Sequence, residues 1–373
     1  MNRINLCFSA LLLFLAACSV LKKPDTNNSS SMGDINIAAM VQPIPLNNRF
    51  IDSSYNIWCG SVTKGENGKF YMLYSRWPKH TGHNGWINFS EIALARADKP
   101  NGPYKHIKVI FSARGENYWD GACTHNPAVI QYKGKYYMFY MGANGSAEIN
   151  KLSNQFGEEA WWARRNSQRI GLAVADDPEG EWQRRDEPIL NVSLDSTAYD
   201  AMLVSNPAPT VDDKGRVILL YKQVEKNGTM KGGKVRFGVA FASSLTGPYI
   251  KHSKPIFGSA DAGKEWMVAE DPYIWHYKGT NYAIVRDVIG KFTGDKGALA
   301  LMTSANGYDW QPAKHPKVIG SRIYFEDGTI AKDHLERPCL YLEKGVPRFL
   351  FGAMGLDPSR SHSMNVCVPL KQE

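Results

Sequence analysis

Apolar and aromatic residues along this chain come in short runs, each opened by a glycine. Five runs share one form: GKFYMLYSRW at Gly68, GKYYMFYMGA at Gly134, GRVILLYKQV at Gly215, GTNYAIVRDV at Gly279 and GVPRFLFGAM at Gly345. They are short, with the aromatic and β-branched residues that suit a pleated strand. Ahead of each glycine lies a second apolar run: GSVTK, PAVIQYK, PAPTVDD, PYIWHYK and PCLYLEK. Two such runs joined through glycine predict a hairpin. A third follows each hairpin: EIALARADKPNGPY, RIGLAVADDPEGEW, RFGVAFASSLTGPY, ALALMTSANGYDW and finally HSMNVCVPL. Helical periodicity is almost absent, and the stretch from Gly157 to Arg165 is the best candidate for a helical turn.

The five glycines are spaced by 66, 81, 64 and 66 residues. A period of this size signals a propeller or solenoid. Five units of at least three strands most simply close into an all-β, five-bladed β-propeller, which leaves only short sheet edges. A β-sandwich competes but leaves the period unexplained. The long second interval is an insertion, and Met40 to Phe50 is placed to supply a strand that locks the ring.

The N-terminus reads differently. Residues Leu6 to Ala17 are apolar, too short for a stable membrane span, and end in Leu15-Ala16-Ala17-Cys18. This is similar to the lipobox of bacterial lipoproteins. It implies removal of the leader, lipidation of Cys18 and an exported, membrane-anchored protein on the periplasmic or cell-surface face. Residues 19–39 are polar and read as a flexible tether, with Lys22 and Lys23 at the depth of lipid head groups. Residues 40–373, about 335 in number, read as one domain.

The formal net charge is +8 and aromatic content is 12%. No run of basic residues interleaved with aromatics and no nucleic-acid motif is present, so the charge points to an acidic glycan rather than to nucleic acid. No Cys or His spacing signals zinc and no cofactor is required; a structural or channel metal is not indicated but stays open. Cys59, Cys123, Cys339 and Cys367 sit in strand-like contexts and are expected as buried thiols.

In a propeller the first strand of each blade lines the central channel. The residues opening those strands are Trp58-Cys59-Gly60-Ser61, Thr124-His125-Asn126-Pro127, Val204-Ser205-Asn206-Pro207, Ala269-Glu270-Asp271-Pro272 and Leu335-Glu336-Arg337-Pro338. Proline begins a strand where no ladder donor is needed. The polar residues before it have no such reason to be there. His125, Asn126, Asn206, Glu270, Asp271, Glu336 and Arg337 converge on one axis, and a ring of buried polar groups is costly unless paired or used. Two further acids repeat: Trp119-Asp120-Gly121 and Tyr199-Asp200-Ala201 each place an aspartate six residues before the Asn of their blade.

This layout resembles the five-bladed glycosidases of glycoside hydrolase family 43 and the related family 117. In family 43 a Glu-Gly-Pro motif opens the fourth blade and carries the general acid. The resemblance therefore implies that role for Glu270, and an oligosaccharide or polysaccharide as substrate. The family's base, an Asp opening the first blade, is replaced here by Cys59-Gly60-Ser61, and the third-blade Asp that tunes the acid by Asn206. Hydrolysis needs two carboxyl groups across the scissile bond, farther apart when the enzyme inverts. Adjacent strand residues point to opposite faces, so the partner of Glu270 is sought in another blade, at Asp120 or Asp200. Burial beside a carboxylate is expected to raise the pKa of Glu270. Trp58, Trp119 and Trp266 are candidate sugar-stacking faces. Arg76, Arg286 and Arg337 are candidate ligands for hydroxyl, carboxylate or sulfate groups. The expected activity is an exo-acting, inverting glycosidase. The alternatives are a non-catalytic glycan-binding lipoprotein and a propeller phosphorylase or lyase.

Overall fold

The protein is described from a computed structural model, which covers residues 35–146, 148, 157–258 and 265–371. The leader, Cys18 and the tether up to residue 34 lie outside the described residues. The domain begins before the expected boundary at residue 40. Ile37–Met40 form one helical turn, capped by the Asn36 side chain, and Ile37 is fully buried beside Ile44.

Five separate four-stranded antiparallel sheets form a ring, a five-bladed β-propeller. Blade 1 runs through Tyr55–Lys64, Phe70–Pro78, Glu91–Ala97 and Lys105–Phe111. Blade 2 is Cys123–Tyr132, Lys135–Ala143, Arg169–Ala175 and Gln183–Arg184. Blade 3 is Leu203–Val211, Val217–Val224, Val235–Ala242 and Ile250–Lys251. Blade 4 is Ala269–Tyr277, Thr280–Asp287, Leu299–Ser304 and Gln311–Ile319. Blade 5 holds Glu336–Glu343, Val346–Gly355 and Ser363–Pro369. Its outermost strand is Arg49–Phe50 from the other end of the chain, paired as Arg49 with Val366 and Phe50 with Asn365. The expected closing segment thus completes blade 5 and leaves only a two-residue strand at its edge.

The hairpin glycines carry the turns. Gly68, Gly134, Gly215, Gly279 and Gly345 all have φ between 76 and 80°. In blades 2, 4 and 5 the residue before the glycine is Lys133, Lys278 or Lys344, also with positive φ. Two successive positive-φ residues are the two-residue turn whose twist matches a hairpin.

The largest apolar clusters lie between neighbouring blades. Leu73 and Leu94 of blade 1 pack on Met138 and Tyr140 of blade 2. Phe139 and Leu172 meet Leu219 and Tyr221 of blade 3. Leu220 and Phe237 meet Ile274 and Met302 of blade 4. Trp275 and Ile284 meet Leu340 and Val368 of blade 5. Phe351 and Cys367 then meet Ile57 and Met72 of blade 1, so the apolar contacts close the ring as the chain does. Cys59, Cys123, Cys339 and Cys367 are buried free thiols.

Candidate functional site at the axial end of the ring

Every innermost strand breaks its pairing at the same point. The register slips between Trp58 and Ser61, His125 and Ala128, Ser205 and Ala208, Glu270 and Tyr273, and Glu336 and Cys339. Inside each slip lies a non-glycine residue in left-handed backbone: Cys59, Asn126, Asn206, Asp271 and Arg337, with φ between 50 and 55°. Such a backbone costs roughly 1–2 kcal/mol per residue. Strain of this kind clusters where a site must aim its side chains. The bulges also correct the alignment of blade 1. Trp58, not Cys59, is the counterpart of His125, Ser205, Glu270 and Glu336, and Gly60 takes the proline position. A side chain at Gly60 would collide with Asn365 and Met72 at 2.8 Å.

The five left-handed residues are joined in a chain of contacts around the axis. Cys59 Sγ donates to Asn126 Oδ1 at 2.7 Å, and Asn126 Nδ2 donates to Asn206 Oδ1 at 2.7 Å. Asn206 Nδ2 donates to Asp271 Oδ1 at 2.8 Å, and Arg337 Nη1 donates to the same oxygen at 3.1 Å. The Arg337 backbone N–H reaches Asp271 Oδ2 at 3.3 Å. All donors along this series run toward Asp271. Burial, and then Glu270, push its pKa upward, while Arg337 opposes them. A carboxylate that accepts three donors holds the series in place and is spoken for. Burial pushes the Cys59 thiol far above its usual range, so it is no nucleophile.

Above this floor lies a cavity of about 340 Å³. All five blades wall it, with Trp58, His125, Lys222, Glu270 and Glu336 among the lining residues. Glu270 accepts from Lys222 Nζ at 2.7 Å through one oxygen and from Arg286 through the other. Arg286 Nη1 also reaches Glu336 Oε1 at 3.3 Å. Glu336 Oε1 takes Arg360 Nη2 at 3.0 Å and lies 3.0 Å from His334 Nε2. The expected rise in the pKa of Glu270 is reversed. Burial pushes it up, but Lys222 and Arg286 outweigh burial and hold it down at about 2. Glu336 is likewise held well below its ordinary range: burial raises it, and Arg286, His334 and Arg360 overcome that.

His125 stacks on Trp86, with ring centroids 4.9 Å apart, and its Nδ1 lies 2.7 Å from Ser90 Oγ. Burial, followed by Arg337, lowers its pKa well below the usual value, so it is neutral.

Glu270, Asp271, Glu336, His125, Asn126, Asn206, Arg286, Arg337 and Trp58 all line the cavity, as does Trp266. Asp120 and Asp200 do not, which removes both as the base. Asp120 is wholly buried in ion pairs with Arg114 and Arg184, each at 2.8 Å, and accepts from Tyr140 Oη at 2.8 Å. Asp200 is bound by Lys251. Arg184 and Lys251 lie on the outermost strands of blades 2 and 3, so the repeated aspartate fastens the outer strand of its own blade. Trp119 stacks on Tyr140 at 5.7 Å within blade 2 and is a packing residue, not a sugar face. Arg76 pairs with Glu91 at 2.8 Å and stacks on Tyr55, away from the cavity.

The structure adds residues that were not anticipated. Lys222 faces Ser205 across its hairpin as Arg286 faces Glu270. Its signal lay in the repeat, because Lys222 and Arg286 stand at the same distance after Gly215 and Gly279. Trp161, Trp162 and Arg165 come from the insertion, whose expected helical turn is the helix Glu158–Asn166. Arg360 comes from a loop of blade 5, and no pattern marked it.

No protein-family profile matches this sequence, and no curated protein matches it. Solved structures do. A family 117 glycoside hydrolase produced by the marine bacterium Zobellia galactanivorans is 17% identical, covers 88% of this chain and 89% of its own, and gives a TM-score of 0.56. A structure described as a glycoside hydrolase is 15% identical over 90% of this chain and 95% of its own, with a TM-score of 0.63. A thermostable family-43 glycoside hydrolase is 13% identical over 87% and 92%, with a TM-score of 0.59. At these identities the likeness establishes a shared fold.

Proposed function

We propose that this protein is a glycoside hydrolase whose working carboxylates are Glu270 and Glu336. The observation that carries this is their placement. They occupy the same bulge position on the innermost strands of neighbouring blades, both line one cavity, and Arg286 lies between them. The likeness to family 43 and family 117 hydrolases supports an oligosaccharide as substrate. Walls from all five blades and a floor of hydrogen-bonded polar side chains favour a chain end over a chain middle, hence exo action. Tryptophans at the rim provide stacking faces.

In this reading Glu336 is the base. Its three partners keep it ionised and ready to take a proton from water. Glu270 is the acid. It is ionised in the empty cavity, and its protonation follows from competition: sugar oxygens that recruit Lys222 or Arg286 weaken the field that holds it down, and burial then dominates. We read the pair as an inverting one, with water entering between the two carboxylates. We also place the protein at a membrane, through lipid on Cys18.

Product release from a panel of oligosaccharides, with and without phosphate, tests the activity and separates hydrolysis from phosphorolysis. Glu270→Gln and Glu336→Gln should each lower kcat by roughly 10²–10⁴-fold. An aryl glycoside with a good leaving group should rescue Glu270→Gln and leave Glu336→Gln slow. Near-normal turnover of a natural glycan by either variant would refute the assignment. The anomer first released, followed by NMR, tests inversion.

A further inference from the structure

Five cationic side chains line the cavity, Arg165, Lys222, Arg286, Arg337 and Arg360, against three carboxylates, Glu270, Asp271 and Glu336. Four of the five are committed. Lys222 and Arg286 pair with Glu270, Arg337 with Asp271, and Arg360 with Glu336 and Asp333. Arg165 is the exception: among the described residues no carboxylate lies within ion-pair distance of it. It is nonetheless 6% exposed. Its Nη1 donates to Asn166 Oδ1 at 3.2 Å and to the Lys231 carbonyl at 3.3 Å, and its guanidinium lies 5.3 Å from the centre of the Trp162 ring.

A buried charge without a direct ion pair is destabilising, and Glu270 across the cavity offsets this one only in part. Two features make this one tolerable. Arg165 sits in the last turn of the helix Glu158–Asn166, where the helix dipole favours a cation, and the Trp162 face adds a cation–π contact. Neither neutralises it. Burial lowers its pKa only to about 10, so it keeps its charge at neutral pH. The helix belongs to the insertion that lengthens the interval between Gly134 and Gly215, so the same segment brings both the uncommitted cation and the tryptophans to the cavity.

We propose that Arg165 receives an anionic substituent, a carboxylate or sulfate ester, carried by the sugar that enters this cavity. The proposal rests on the reading of the cavity as a glycoside site. A planar guanidinium held by stacking presents paired N–H groups to two oxygens of one anion, which suits both substituents. It also assigns the selectivity to a different residue from those expected, because Glu270 and Asp271 already offset the charges of Arg286 and Arg337 against a second anion, and Arg76 is elsewhere.

Binding, rather than turnover, is the test. Calorimetric titration would use the methyl glycosides of glucuronic and galacturonic acid, their neutral glucoside and galactoside twins, a 6-sulfated galactoside and inorganic phosphate. At least one anionic sugar should bind about 10-fold or more tighter than its neutral twin, as a charge-assisted contact allows. Arg165→Met should erase that difference, leave the neutral twin's affinity alone, and hold or raise the unfolding midpoint of the ligand-free protein. Arg165→Lys should restore part of the preference. The proposal is overturned if anionic and neutral sugars bind alike or not at all. It is equally overturned if the preference survives Arg165→Met, or if free phosphate binds as tightly as the sugar. Arg165-dependent binding of an anionic sugar that is never cleaved would refute hydrolysis and leave this assignment standing.

Discussion

Asp120, fully buried, and Glu270, partly buried, are both carboxylates gripped by two cations, and they differ in what else can reach them. Asp120 is 0% exposed, and Arg114, Arg184 and Tyr140 take up both of its oxygens. Asp120→Ala would leave Arg184 without a carboxylate and Arg114 with Asp186 alone, and breaking a buried pair costs roughly 3–5 kcal/mol. Denaturant unfolding should show that loss, while kcat per folded molecule stays that of the wild type. A selective loss of kcat with unchanged stability would return Asp120 to the chemistry. Glu270 lines the cavity, and each of its cations can turn to a ligand. The same ion pair is structural in one place and adjustable in the other because only one of them borders open volume.

At the scale of elements, the ring depends on a two-residue strand. Arg49–Phe50 covers the outer edge of blade 5, and the chain just before it buries Ile37 and Ile44 in the cluster between blades 4 and 5. Phe50 also packs edge-on against Tyr74, with centroids 4.9 Å apart, which ties blade 5 to blade 1. Removing residues 1–50 would bare the strand Ser363–Pro369 and open two apolar clusters. Such an edge invites pairing with another chain. The truncated protein should form oligomers and lose a cooperative transition in light scattering and thermal unfolding. A monomer with an unchanged midpoint would show that the closure contributes little.

Over the whole molecule, the charged cluster at the axis makes stability depend on pH. The folded pKa of Glu270 is depressed to about 2, and that of Glu336 lies well below its ordinary value. The stability they supply is present above the unfolded carboxylate value near 4.3, and is lost as pH falls from there toward 2. Asp271, raised by burial, works in the opposite direction. Between pH 5 and 2.5 the wild type should lose on the order of a few kcal/mol more than Glu270→Gln, which has no proton to take up at that position. Parallel curves for the two proteins would show that the cations do not hold Glu270 ionised. Anchoring is tested on the same scale. Wild type should label with lipid and sediment with membranes, and Cys18→Ala should do neither. Soluble, unlabelled wild type would dispose of the anchor.

The sequence alone determined the five-bladed ring, because a glycine hairpin repeated at near-constant spacing leaves few other ways to bury so many short apolar strands. It also determined which residues gather at the axis, since each inner strand opens with polar groups that a plain strand start does not require. Even the helical turn of the insertion was visible in Gly157 to Arg165. What tertiary structure alone decided was the partner of each charge. Asp120 and Asp200 repeat as regularly as the site residues do, and only the outer strands showed that Arg184 and Lys251 hold them. Trp58 took its true register from a bulge, because blade 1 has Gly60 where the others have proline. Glu270 was placed correctly and its ionisation was not, since Lys222 and Arg286 approach it from two different blades. Charges on separate strands meet by folding, and no spacing along the chain records the distance between them.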